Sequence, residues 1–121
     1  MLSVPMAVKI FAATTSVDFR IGIDGLAAIV ENSFKLPVMS GHLFLFFNKR
    51  GNQMRVLFWD RDGFCLLTKR LDSGTFRRVN SNGKPSLHIE RPASELMLIL
   101  EGIDVSAFKR RKRFTHTARQ A

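Results

Sequence analysis

The run Leu43-Phe44-Leu45-Phe46-Phe47, between Gly41-His42 and the polar stretch Asn48-Lys49-Arg50-Gly51-Asn52-Gln53, restricts the possible folds more than any other feature. Large apolar side chains in unbroken succession over the length of a strand leave no polar face for water. The run therefore predicts a strand buried on both faces. Met54 to Trp59 has strand character as well, and Asp60-Arg61-Asp62-Gly63 is a tight turn into a third strand over Phe64 to Leu71. Together they predict an antiparallel meander. Asp72-Ser73-Gly74 turns the chain again, and Thr75 to Val79 is expected as a fourth, more polar edge strand.

Around this sheet the pattern changes period. Val8 to Phe11 is expected as a short strand, with Ala12-Ala13-Thr14-Thr15-Ser16 as a turn. Phe19, Ile23, Leu26, Ile29, Val30 and Phe34 recur at spacings of three or four, which predicts a helix over 18–34 with Ser16 or Asp18 as its cap. Asp24 then stands at i,i+4 from Arg20 and is expected to pair with it. Gly22 and Gly25 each cost about 1 kcal/mol relative to Ala inside such a helix, so they imply close packing or a bend. Leu36-Pro37 ends it. Asn80-Ser81-Asn82-Gly83-Lys84-Pro85 is a loop, Leu87-His88-Ile89 a short extended piece, and Pro92-Ala93-Ser94-Glu95 opens a second helix that runs to about Leu100 and stops at Gly102. The expected fold is α+β: an antiparallel meander of three to four strands, its helices over one face. At 121 residues one domain is expected, over 1–108, followed by a basic, disordered tail over 109–121.

Charge separates the function classes. Nineteen Lys and Arg against ten Asp and Glu give a net charge of +9, which favours a polyanionic partner. Lys109, Arg110, Arg111, Lys112, Arg113 and Arg119 place six of those cations, and no acid, in the tail. Dense basic arms bind duplex backbone by releasing counterions, without reading sequence. Lys49, Arg50, Lys69, Arg70, Arg77 and Arg78 lie at the turns and strand ends of the meander, and Arg55 shares a strand face with Leu57 and Trp59. Gathered on one side, these residues form a phosphate-binding surface; scattered, they are solvated charges. Trp59 beside Arg55 is either a stacking platform for a base or a ring packed under a helix. The lone Cys65 excludes an internal disulfide, and no leader or membrane-spanning run is visible, so a cytoplasmic protein is expected.

Catalytic constellations are weak. Asp18, Asp24, Asp60 and Asp62 are the only carboxylates with a bearing on metal-dependent phosphodiester chemistry, yet each has a structural reading as cap, ion-pair partner or turn residue. His42, His88 and His116 stand far apart and accompany no Ser or Cys in a nucleophilic arrangement. Gly22-x-x-Gly25 lacks the flanking residues of a phosphate-cradling loop. No catalytic residue, metal or other cofactor is expected.

Several strings carry a likeness beyond composition. They are Asp18-Phe19-Arg20-Ile21-Gly22-Ile23-Asp24-Gly25-Leu26; Gly41-His42-Leu43-Phe44-Leu45-Phe46 with Asn48; Arg55-Val56-Leu57-Phe58-Trp59-Asp60 with Gly63; Leu67-Thr68-Lys69-Arg70-Leu71; Gly74-Thr75-Phe76; and Leu100-Glu101-Gly102-Ile103-Asp104. In this order and spacing, over roughly 4–105, the chain resembles the TnpB-type accessory proteins, products of the second open reading frame, of the insertion-sequence-sixty-six family of bacterial transposable elements. The resemblance implies a protein encoded beside a transposase and needed for efficient transposition, for which DNA binding is the usual expectation. The chain departs from the family where Phe47, Gly51 and Gln53 replace frequent Arg, and where Arg78 and Val79 replace an aromatic residue and a proline. The expected function is a non-enzymatic DNA-binding accessory factor supporting the transposase, with a protein–protein adaptor for the transposase as the alternative and a cryptic nuclease as a third reading. The expected DNA-binding residues are Lys49, Arg50, Arg55, Lys69, Arg70, Arg77, Arg78, Lys109, Arg110, Arg111, Lys112 and Arg113.

Overall fold

In the computed structural model, which describes residues 8–77 and 86–101, the apolar run forms strand β2 (Leu43–Phe47), with every residue buried. Its neighbours are β1 (Lys9–Ala13) on one side and β3 (Gln53–Asp60) on the other. Beyond them lie the edge strands β4 (Gly63–Arg70) and β5 (His88–Pro92), giving the order β4-β3-β2-β1-β5. The meander β2-β3-β4 is as expected: Leu45 pairs with Val56, and Val56 in turn with Leu67, all antiparallel.

The whole sheet differs from the expected meander. It is five-stranded and mixed, because β1 runs parallel to β2 with Phe11 opposite Phe44. Parallel neighbours need a long crossover, which residues 14–42 supply, and the helix within it packs back on the sheet. Ala12 and Ala13, expected in a turn, belong to β1 and are buried. The extended piece at Leu87-His88-Ile89 is the start of β5, which pairs antiparallel with β1 through Phe11 and Glu90. Thr75 to Arg77 forms no strand. Phe76 instead caps the apolar layer, packing on Phe47 with ring centroids 5.9 Å apart, while the rest of the expected fourth strand and the loop at 80–85 fall outside the described residues.

The helix expected at 18–34 is present but changes pitch along its length. A 3-10 turn at Phe19–Ile21 leads into α1 (Gly22–Ala28), and a π-helical turn at Ile29–Ser33 closes it. Gly22 sits at φ 72° and ψ −172°, a backbone region open essentially to glycine alone, and it makes the bend between the first two segments. Gly25 permits a close approach: a Cβ there would lie 2.5 Å from the Cβ of Ile21. The second helix, α2 (Leu96–Leu100), follows a 3-10 turn at Ala93–Glu95 just after Pro92.

The two helices cover opposite faces of the sheet, not one. Leu26, Val30 and Phe34 pack on Phe11, Phe44, Phe46 and Leu57, whereas Ile99 packs with Ile10, Leu45, Phe47, Met54 and Val56. Alternation along β2 sends Phe44 and Phe46 to the first layer and Leu43, Leu45 and Phe47 to the second. Each fully buried side chain of this size contributes about 1.5–3 kcal/mol.

Two substitutions separate the contributions. Phe44→Ala should lower the unfolding free energy by about 3–5 kcal/mol in urea titrations, as for a large ring removed from a closed core. Gly22→Ala meets no atom within 4 Å, so its expected loss of about 1–3 kcal/mol reports backbone strain alone.

Candidate nucleic-acid interface

At one end of the sheet β1, β2 and β4 finish and β3 and β5 begin. The turn from β2 to β3 is held there by Asn48, whose side chain accepts from the Gln53 amide at 2.9 Å and donates to Asn52 Oδ1 at 2.8 Å. This fixes the tip and leaves Lys49 and Arg50 exposed. The chain leaving β4 lies against the same turn, with the Leu71 amide donating to Asn52 O and the Phe76 amide to Gly51 O, each at 2.8 Å. Arg70, opposite Gln53 in the ladder, and Arg77 are therefore carried to this end. The Val17 amide, donating to Phe47 O at 2.9 Å, brings in the start of the helical crossover with Arg20.

Lys49, Arg50, Arg70 and Arg77 are thus brought together, and Lys69 and Arg55 flank them on opposite faces. Lys69 donates to Leu100 O at 2.9 Å on the α2 side. Arg55 lies on the α1 side, where Nη1 donates to Phe19 O at 2.8 Å and the guanidinium carbon stands 4.5 Å from the centroid of the Phe19 ring. Trp59 is not its aromatic partner: that ring meets Phe64 edge-on, with centroids 5.0 Å apart. Arg78 and the run Lys109, Arg110, Arg111, Lys112 and Arg113 fall outside the described residues.

Arg20 was not among the expected site residues. Its guanidinium is held by Asp18, with Nη2 2.8 Å from Oδ2 and Nε 3.1 Å from both carboxylate oxygens, so the expected Arg20–Asp24 pair is replaced by Arg20–Asp18. Asp18 also accepts from the Arg20 amide at 3.0 Å, which is the cap expected of it. The Asp-x-Arg spacing at a helix start was a signal available in the sequence. These hydrogen bonds, first from the Arg20 side chain and then from its amide, lower the Asp18 pKa to about 2, and Arg20 is raised in turn.

The remaining polar residues do not converge. Asp60 and Asp62 lie in the β3–β4 turn at the other end of the sheet, away from Asp18 and Asp24. His42 accepts from the Lys9 amide at 3.1 Å, and His88 rests against the Phe34 and Phe11 rings. Cys65 is half-buried in β4, and among the described residues no group of three or more His, Cys, Asp or Glu is placed to hold a metal ion.

The depressed Asp18 pKa fixes the sign of a pH effect. The cap is complete above the ordinary carboxylate value of 3.8 and is lost as pH falls toward about 2, so amide exchange at Arg20 and Ile21 should quicken in that window. Asp18→Asn, which removes the charge while keeping an acceptor, should abolish this pH dependence.

Comparison with known proteins gives the chain its relatives. It is 36% identical over 97 residues to the uncharacterized protein y4hO of Sinorhizobium fredii, covering 80% of this chain and 82% of that one. It is 34% identical over 111 residues to y4jC of the same organism, covering 92% of each. No solved structure matches. The family model described as IS66 Orf2 like protein matches residues 8–110, so the match extends past 105 and takes in Lys109 and Arg110. With its sheet, its helical crossover and its basic end all inside that span, the chain belongs to the IS66 Orf2-like family of transposition-associated accessory proteins.

Proposed function

We propose that the protein is a non-enzymatic accessory factor that binds the DNA backbone and supports the transposase of its element. The observation that carries this reading is the placement of Lys49, Arg50, Arg70 and Arg77 at one end of the sheet, flanked by Lys69 and Arg55. Cations on a rigid scaffold at one end form a surface that phosphates approach together, and each phosphate neutralised releases counterions. Lys69 is held by a carbonyl, which takes up one of its donors and leaves its charge in place. The basic residues from 109 onward lie outside the described residues and add to the positive charge of the same chain. They supply further backbone contacts.

The adaptor reading has one observation in its favour. Leu67 and Met97 are 47% and 62% exposed and belong to the side of the sheet that α2 covers, where a partner protein would find apolar surface.

Binding should be measured by anisotropy with element-end and random duplexes of equal length, in parallel with a transposase pull-down. Lys49→Gln, Arg50→Gln and Arg70→Gln combined should lower the slope of log affinity against log salt by up to about 3, close to 0.9 per contact, while Arg61→Gln at the opposite end should leave it unchanged. Deleting residues 109–121 should cost affinity equally for both duplexes, as backbone contacts do. Transposase capture with no measurable DNA binding would replace this reading with the adaptor.

A further inference from the structure

Between the 3-10 turn that begins the crossover and the β2–β3 turn lies a cleft of about 510 Å³, lined by Phe19, Arg20, Asn48, Lys49, Gln53 and Arg55 among others. We infer that this cleft is a subsite for a single phosphate group, anchored by Arg55. The inference rests on the DNA-binding reading for its biological ligand, but the chemistry of the cleft stands apart from it.

Arg55 is the unusual residue. Its side chain is partly buried on the α1 face, Nη1 is committed to Phe19 O, and the Phe19 ring packs against the guanidinium. Nε is enclosed without an acceptor, and among the described residues no carboxylate lies within ion-pair distance of the group. A guanidinium partly withdrawn from water, held in one orientation and left without a counter-charge is stabilised by an anion at the cleft mouth. With Nη1 on the carbonyl and Nε enclosed, the guanidinium offers Nη2 and its positive charge to a phosphate oxygen, in a direction fixed by the ring and the carbonyl.

The rest of the wall agrees with an anion. Lys49 brings a second positive charge on a mobile stem, and Asn48 and Gln53 bring amide side chains. Asp18 also lines the cleft and would repel a phosphate, but its two oxygens are bound by the Arg20 fork, which largely cancels its charge there. The cleft is a partly enclosed site set beside the exposed cations, so its ligand is one phosphate, while the outer basic residues face a longer stretch of backbone.

The test uses the full chain and inorganic phosphate as first probe. In a titration followed by ¹⁵N-edited NMR, the Arg55 Nε–Hε signal should shift in a saturable way, and that of Arg61 at the opposite end should not. Arg55→Lys keeps the charge but loses the planar group held by the Phe19 ring and carbonyl, and should weaken phosphate binding about tenfold, the worth of one charge-assisted hydrogen bond. Lys49→Gln, at an exposed turn where folding is not at issue, should weaken it as well. Oligonucleotides with a 5′-phosphate or a 5′-hydroxyl end identify the source: a preference for the phosphorylated end, lost in Arg55→Lys, assigns the subsite to a strand terminus. Equal affinity, lowered equally in Arg55→Lys, assigns it to an internal phosphodiester. Unsaturable shifts, or unaltered phosphate binding in both variants, overturn the subsite even where duplex binding persists. Phosphate binding at Arg55 without any affinity for DNA would leave the subsite in place and remove the DNA-binding reading instead.

Discussion

All five residues of β2 are enclosed, with Phe44 and Phe46 turned to one apolar layer and Leu43, Leu45 and Phe47 to the other. A strand of this kind has no surface to give to water and no edge to leave unpaired, since a buried backbone amide or carbonyl without a partner costs free energy comparable to a lost hydrogen bond. It must therefore acquire a strand on each side and a helical layer above and below. Strands β1 and β3 meet the first requirement, and α1 and α2 the second. The remaining architecture follows from satisfying β2.

That demand also shapes the basic end. To place β1 parallel to β2 the chain must cross back over the sheet, so the exit of β1 lies at the same end as the exit of β2. Hairpin pairing brings the exit of β4 there too. Turns and strand ends cannot be fully buried, and they are where this sequence carries Arg20, Lys49, Arg50, Arg70 and Arg77. The acidic turn Asp60-Arg61-Asp62 lies at the other end. Strand direction, more than any local motif, brings these cations to one end.

What the sequence revealed and what it hid divide along the range of the interaction. Strands β2, β3 and β4 and the crossover helix were legible because their signals are local: side-chain alternation, turn residues, and apolar spacing of three or four. The parallel pairing of residue 10 with 43 and the antiparallel pairing of 12 with 89 leave no such local trace. Ala12 and Ala13 looked like the start of a turn because small residues mark no period, and Phe76 looked like part of a strand because one apolar residue cannot show that it plugs a core. The apolar face of a helix announces that it packs, not on which side of a sheet. For the candidate site, the basic turn residues were legible as charges, but no local pattern marks the ring beside Arg55. Alternation pointed to Trp59, and the structure supplies Phe19 from 36 positions away.

Lys69 holding the carbonyl of Leu100 ties the last turn of α2 to β4 near the basic end. The bond takes up a carbonyl that the end of the helix leaves without an intrahelical partner. The same ammonium stands at the C-terminal end of the helix, where the aligned backbone dipoles favour a positive charge. Lys69 thus serves the fold and the positive surface at once, so a change at this one position would alter both together.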